Sequence, residues 1–266
     1  MRICSIASGS SGNCIYLGTD ATHLLVDVGI SGKRTEAGLN GLGLTLADVD
    51  GILITHEHAD HINGLGVLLR KREMPVYATA GTIAAIRNAG SLGDIPEDLF
   101  CEIREDDSFV IKDVTVNPMR ISHDAAQPVA YRFRCDGKQA GIVTDLGEYN
   151  DYIVESLRGM DALVLEANHD VRMLEAGKYP YYLKRRILGE RGHLSNEMSG
   201  QLLSRLLHDN LQAVVLGHLS KENNLPELAY ETVRLEITMA DNQYNGNDFP
   251  ITVAKRSEPS GIINII

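Results

Sequence analysis

Hydrophobic positions along this chain come in short runs bounded by glycine, aspartate and asparagine, the pattern of strands, and adopt helical spacing in a few places only. Residues 2–7, 14–17 and 24–27 read as three early strands, and 51–55 as a short buried one. The first two are joined by Ser8-Gly9-Ser10-Ser11-Gly12-Asn13. A phosphate cradle would lead into a helix, whereas this loop leads into another strand and lacks a Lys-Ser/Thr ending, so it reads as a hairpin turn. Residues 114–117 and 129–135 read as strands, and Asp136-Gly137 turns the latter back into 139–144. Residues 162–165 and 213–216 are further strand runs, while 64–70, 81–89, 195–207 and 226–239 have helical spacing. No repeat, linker or low-complexity segment interrupts the 266 residues. The expectation is one domain spanning 1–266, with two packed sheets and helices outside.

Chemistry gathers where the strands end. Thr55-His56-Glu57-His58-Ala59-Asp60-His61 places three imidazoles and an aspartate on a strand-to-helix loop. His56 and His58, two apart in extended chain, point the same way, and Asp60 and His61 follow the turn toward a second point. Such nitrogen and oxygen donors suit zinc, manganese or iron, and their division into two groups suits two divalent ions side by side. His123, Asp145 and His218 each follow another strand. A lone residue of that kind is commonly structural, but a two-ion site needs more donors than the first loop supplies. Asp27, closing its own strand, reads as an acceptor that fixes a ligand imidazole or caps the loop.

Composition and charge narrow the classes. The formal charge of −11 argues against coating nucleic acid by bulk electrostatics, yet residues 170–194 carry a local +3. Cys4, Cys14, Cys101 and Cys135 form no C-x-x-C pair, which predicts buried thiols rather than a disulfide framework. With no export signal and no membrane-spanning stretch in the sequence, a cytoplasmic location is expected.

The ordered set Asp27, His56/His58/Asp60/His61, His123, Asp145 and His218 resembles the metallo-β-lactamase superfamily across nearly the whole chain. That resemblance implies an α/β fold, an αββα sandwich of two mixed β-sheets flanked by helices. It also implies that His56, His58 and His123 hold one ion, that Asp60, His61 and His218 hold the other, and that Asp145 bridges them. Three stretches, Ser8–Asn13, Glu166-Ala167-Asn168-His169-Asp170, and Gly192-His193-Leu194-Ser195-Asn196 followed by Gly217-His218-Leu219-Ser220-Lys221-Glu222-Asn223-Asn224, are similar to the YycJ/WalJ branch of exonucleases. The branch implies a metal-dependent phosphodiesterase acting on DNA, in preference to RNA, from the 5′ end.

Two ions sharing Asp145 would lower the pKa of a bridging water, whose hydroxide would attack a phosphodiester, and a third positive group would assist the leaving oxygen. Asp60 and His193 are the candidate catalytic residues. His193 precedes a helix start at Ser195, and its alternative role is to cap or pack beside that helix. His169 is a further candidate near the metals or the substrate, with a structural role as its alternative. His23 and His208 read as surface or packing histidines. Residues 178–186 interleave tyrosines with Lys178, Lys184, Arg185 and Arg186, which suits either base stacking with phosphate neutralisation or a helix with solvated charges. The competing functions are hydrolysis of a lactam, a thioester, RNA or a cyclic phosphodiester on the same scaffold, and a non-catalytic metal-stabilised regulator. A flavodiiron-type role is disfavoured by His58, where that group resembles a glutamate. Oligomeric state is not encoded in these features.

Overall fold

The computed structural model describes residues 1–266. Its elements run β1 (Arg2–Ala7), β2 (Cys14–Gly18), β3 (His23–Val26), α1 (Gly32–Gly41), β4 (Gly51–Leu53), α2 (Ala59–Ile62), α3 (Leu65–Lys71), β5 (Val76–Thr79), α4 (Ala80–Ala89), β6 (Phe100–Ile103), β7 (Phe109–Ile111), β8 (Val114–Arg120) and β9 (Val129–Cys135). There follow β10 (Lys138–Val143), α5 (Asp151–Leu157), β11 (Ala162–Glu166), α6 (Val171–Ala176), α7 (Tyr181–Ile187), α8 (Asn196–Leu206), β12 (Ala213–Gly217), α9 (Pro226–Met239), β13 (Ile251–Val253) and β14 (Ile263–Asn264). The strands belong to two seven-stranded sheets, and helices accompany both, as the αββα expectation required.

The chain divides into two compact units, the first comprising Met1–Arg120, Ala125–Asp136 and Lys255–Ile266, and the second Ile121–Asp124 and Gly137–Ala254. The first unit holds a whole sheet in the order β14-β1-β2-β3-β4-β5-β6, antiparallel as far as β3 and parallel beyond it. It also holds the antiparallel run β7-β8-β9. On one face of the first sheet, Cys4, Ile6, Tyr16, Leu25, Ile52 and Val76 pack with Leu39 of α1, Leu65 and Leu68 of α3 and Ile83 and Ile86 of α4. The alternate positions Ile3, Leu17, Leu24 and Leu53 are buried too, so these strands read as continuous apolar runs rather than alternating ones.

In the second unit β10, β11, β12 and β13 are successively parallel neighbours. Helix α8, capped by Ser195 through the Met198 amide, packs on α9, where Gly200 lets Val233 and Glu236 approach its backbone. The turn Asp136-Gly137 has φ of 49° and 75° in left-handed space, as a two-residue hairpin demands. Helix α1 escapes the periodicity reading because it buries only Gly32, Thr35, Gly38 and Leu39, too sparse an apolar stripe; the Ser31 cap is its clearest signal.

Gly29 lies beneath the loop that carries the histidine motif. A Cβ there would come within 1.6 Å of the Asp60 carbonyl oxygen, a backbone atom that cannot swing aside. Gly29→Ala is therefore expected to lower stability by about 1–3 kcal/mol, measured by urea unfolding. Gly41→Ala, whose Cβ would meet nothing within 4 Å, should not destabilise the chain.

Candidate metal centre

Within each unit several polar residues of interest lie at the carboxyl ends of parallel strands, whereas His123 follows β8, which is antiparallel to both its neighbours. In the first unit β3 and β4 are parallel in the register Val26↔Leu53, which brings Asp27 beside the β4 exit that carries Thr55 and His56. In the second, Val143, Leu165 and Leu216 are in register, with Glu166 opposite Gly217, which aligns Asp145, Glu166 and His218. Backbone geometry marks three of these positions. Asp27, Asp145 and His218 have φ of 57°, 59° and 55°, left-handed conformations that non-glycine residues rarely adopt and that turn each side chain off the strand line.

Asp27 is almost fully buried, and its carboxylate accepts from the Thr55 amide at 2.9 Å, the Thr55 hydroxyl at 2.9 Å and His61 Nδ1 at 2.7 Å. With its proton on Nδ1, His61 turns the lone pair of Nε2 toward Asp60, whose Oδ2 is 3.7 Å away, and toward Asn13 Nδ2 at 3.1 Å. The ring of His56 lies 4.6 Å from that of His58 and 4.1 Å from that of His61, centroid to centroid. His58 stands at the N-terminal boundary of the short helix α2, which carries Asp60 and His61, without a capping bond from its side chain. Glu57 is turned away from the histidines and accepts from the Ala126 amide at 2.8 Å.

The second unit contains a corresponding arrangement. His123 Nδ1 donates to the Gly192 carbonyl at 3.1 Å, and its Nε2 lies 3.7 Å from Asp145 Oδ1. Glu166 has no exposed surface, and one carboxylate oxygen accepts from His218 Nδ1 at 2.7 Å and from His193 Nδ1 at 2.9 Å. Its other oxygen accepts the Leu146 and Leu194 amides at 2.7 and 3.3 Å. Burial alone would raise this carboxyl group; the two imidazoles overcome that effect and hold it at about 2. Donor atoms of Asp145, Glu166, His193 and His218 lie within 4.8 Å of one another. Glu166 already accepts on both oxygens, so within this group it orients the imidazoles.

The donor chemistry fits a divalent ion. His61, His123 and His218 each commit Nδ1 to an acceptor, leaving Nε2 as the basic nitrogen that a metal requires. His169 stands apart from every such donor group. Its Nδ1 faces Asn168 Oδ1 at 3.3 Å, and its Nε2 is buried without a hydrogen-bond partner. Of the cations singled out in the sequence, Lys184 donates to the Glu175 carbonyl at 2.7 Å and Arg186 pairs with Asp124, whereas Arg185 is exposed. His23 bonds the Tyr16 hydroxyl and His208 the Met160 carbonyl.

Sequence reasoning passed over Glu166, although it closes an apolar strand just as Asp27 and Asp145 do. It also passed over a set of asparagines that brace the strand exits. Asn168 Nδ2 donates to the His218 carbonyl, and Asn224 Nδ2 to the carbonyls of Ala167 and Asn168, while Asn196 and Asn224 exchange side-chain amide bonds. No periodicity signals such roles. They explain what the asparagines in the Glu166–Asp170, 192–196 and 217–224 stretches do.

A family model described as beta-lactamase superfamily domain matches residues 22–218. The chain belongs to the metallo-β-lactamase superfamily of metal-dependent hydrolases. It is 43% identical over 228 residues to exodeoxyribonuclease YycJ of Bacillus anthracis, covering 86% of each chain. It is 42% identical over 236 residues to exodeoxyribonuclease WalJ of Streptococcus pneumoniae, covering 89% of this chain and 88% of that one. The crystal structure of the metallo-β-lactamase fold protein YhfI from Bacillus subtilis superposes with a TM-score of 0.70 over 97% of both chains at 15% identity, a likeness of fold. No helix is long and apolar enough to cross a membrane, and the four cysteines are free thiols.

Burial lowers His169 to about 4, and the neighbouring His193 adds to the effect. An unfolded chain takes up that proton near the ordinary value of about 6.5, so stability is fully present above it and declines as pH falls toward 4. The metal-free protein should lose about 3 kcal/mol across this window through His169. His169→Gln should flatten that part of the pH dependence in urea titrations; an unaltered slope would mean that His169 does not titrate as a buried neutral imidazole.

Proposed function

We propose that the chain is a dinuclear metal-dependent phosphodiesterase that removes nucleotides from DNA in the 5′-to-3′ direction. The observation that carries the metal reading is the commitment of Nδ1 in His61, His123 and His218 to buried acceptors, which puts the proton on Nδ1 and makes Nε2 the basic nitrogen of each ring. The substrate reading is supported by similarity to two exodeoxyribonucleases over most of the chain. On this reading His56, His58 and His123 hold one ion, Asp60, His61 and His218 hold the second, and Asp145 serves both. Zinc or manganese suits the set, and iron is compatible with it.

When bound, the ions supply a nucleophile at neutral pH and polarise the phosphoryl oxygen. Asp27 holds His61 in the tautomer that can ligate. Glu166 does the same for His218 and also accepts from His193 Nδ1, which orients that ring. His193 then gives its Nε2 proton to the departing nucleotide oxygen, and its partial exposure lets it regain that proton from solvent.

Elemental analysis of the purified chain should give about two divalent ions. Asp60→Asn should weaken the second ion first, and a stoichiometry near one in the fully active wild type would rule out the two-ion mechanism. End-labelled duplex DNA incubated with manganese-loaded protein tests substrate and polarity together: shortening from the 5′ label supports the reading, and inert DNA beside hydrolysis of a bis-aryl phosphodiester overturns it.

His193→Ala should slow nucleotide cleavage by the order of a hundredfold or more while retaining its metal. Nitrophenolate leaves without a proton, so release from a nitrophenyl phosphodiester should suffer far less. Equal losses on both substrates would assign His193 to positioning instead.

A further inference from the structure

Residues 177–192 form a strap along the second unit, and helix α7 within it buries none of its residues. The strap is held by polar tethers. Arg186 pairs with Asp124, and Arg191 donates to the His123 carbonyl through Nε at 3.1 Å and Nη2 at 3.0 Å. The Ser122 hydroxyl donates to the Glu190 carbonyl at 2.7 Å, and the His193 amide to that of Ile187 at 3.0 Å. Residues 186–191 of the strap are thereby fastened to the segment that carries His123, and the chain runs from them directly into His193.

What the tethers leave outward is aromatic. Tyr181 and Tyr182 are 74% and 75% exposed, the most exposed aromatic side chains of the molecule. Leu188 adds a third exposed apolar side chain on the same strap. Tyr181 and the exposed Arg185 are four residues apart, on one helical face. Tyr182 shares its face with Arg186, the residue that reaches Asp124 next to His123. Tyrosine rings presented with cations suit an occupant that is flat and apolar on its faces and anionic along its backbone. The surrounding +3 of residues 170–194, in a chain of net charge −11, complements the same occupant.

Resting on the nuclease reading above, we propose that Tyr181 and Tyr182 form a stacking platform for the bases of the DNA strand that enters the metal centre, with Arg185 on its phosphates. The tyrosines hold the strand by base faces and not by sequence, because every base has a π-face. The platform therefore favours substrates with unpaired terminal bases over substrates whose ends carry no base.

The test uses the full chain and a phosphorothioate-linked, 5′-phosphorylated oligonucleotide with an unpaired end, compared with one whose terminal nucleotides are abasic. Wild-type protein should bind the base-bearing end about tenfold more tightly. Tyr181→Leu and Tyr182→Leu should each reduce that preference, and the double variant should abolish it, whereas the Phe variants should retain it. The chain contains no tryptophan, so Tyr181→Trp and Tyr182→Trp each create a single reporter whose emission should be quenched by the base-bearing oligonucleotide and not by the abasic one. Both side chains are exposed, so unchanged unfolding midpoints will confirm that the variants fold. Equal wild-type affinity for both oligonucleotides, or full preference in the double Leu variant while DNA is still degraded, overturns the platform and leaves the nuclease reading standing. Wild-type protein that hydrolyses a bis-aryl phosphodiester but neither binds nor degrades DNA overturns both.

Discussion

Two buried carboxylates, Asp27 and Glu166, set the chemistry of everything around them. Each lies at the carboxyl end of a parallel strand, out of water, where an unpaired anion would cost several kcal/mol. Each is instead saturated by donors, Asp27 by Thr55 and His61 and Glu166 by His193, His218 and two backbone amides. A carboxylate that must accept obliges each imidazole facing it to donate, so the protonated nitrogen is settled by burial before any ligand arrives. Glu166 couples two histidines with different prospects. His218 turns Nε2 away from the carboxylate, while His193 is partly exposed.

The backbone accepts strain at the same places. Left-handed φ at Asp27, Asp145 and His218 costs about 1 kcal/mol or more at each, and no turn residue such as glycine relieves it. The surrounding hydrogen bonds supply the compensation. The Asp27 amide bonds the Leu53 carbonyl, and the His218 carbonyl accepts from Asn168, itself fixed by Asn224. A strand end of this kind directs a side chain sideways from a fully buried sheet, which an extended residue could not do.

The legible part of the fold was the part with a period. Continuous apolar runs at β1, β4, β11 and β12, and helical spacing at α8 and α9, put these elements within a residue or two of their observed limits. Helix α1, with three glycines and almost no apolar stripe, and the three- and four-residue strands β5, β6 and β7 were not legible, because each is too short or too polar to carry a periodic signal. Among site residues, the histidine-rich loop and the donors after β10 and β12 announced themselves by residue type and place. Glu166 did not, because a glutamate at a strand end has many ordinary uses and only the register Glu166↔Gly217 brings it beneath His218.

Charge misleads in a more instructive way. The sequence gathers six cations in residues 170–194, which invites the inference of a phosphate-neutralising surface. Three of them have internal work: Lys184 donates to the Glu175 carbonyl, Arg186 pairs with Asp124, and Arg191 clasps the His123 carbonyl. A guanidinium fastened to a carbonyl keeps its charge but surrenders the fork that would grip a phosphate. The strap's cations therefore act first on the protein, and two of them, Arg186 and Arg191, hold the segment that carries His123. What remains for a substrate is Arg172, Lys178 and Arg185 together with two outward tyrosines, so this face can grip nucleic acid by stacking as well as by charge.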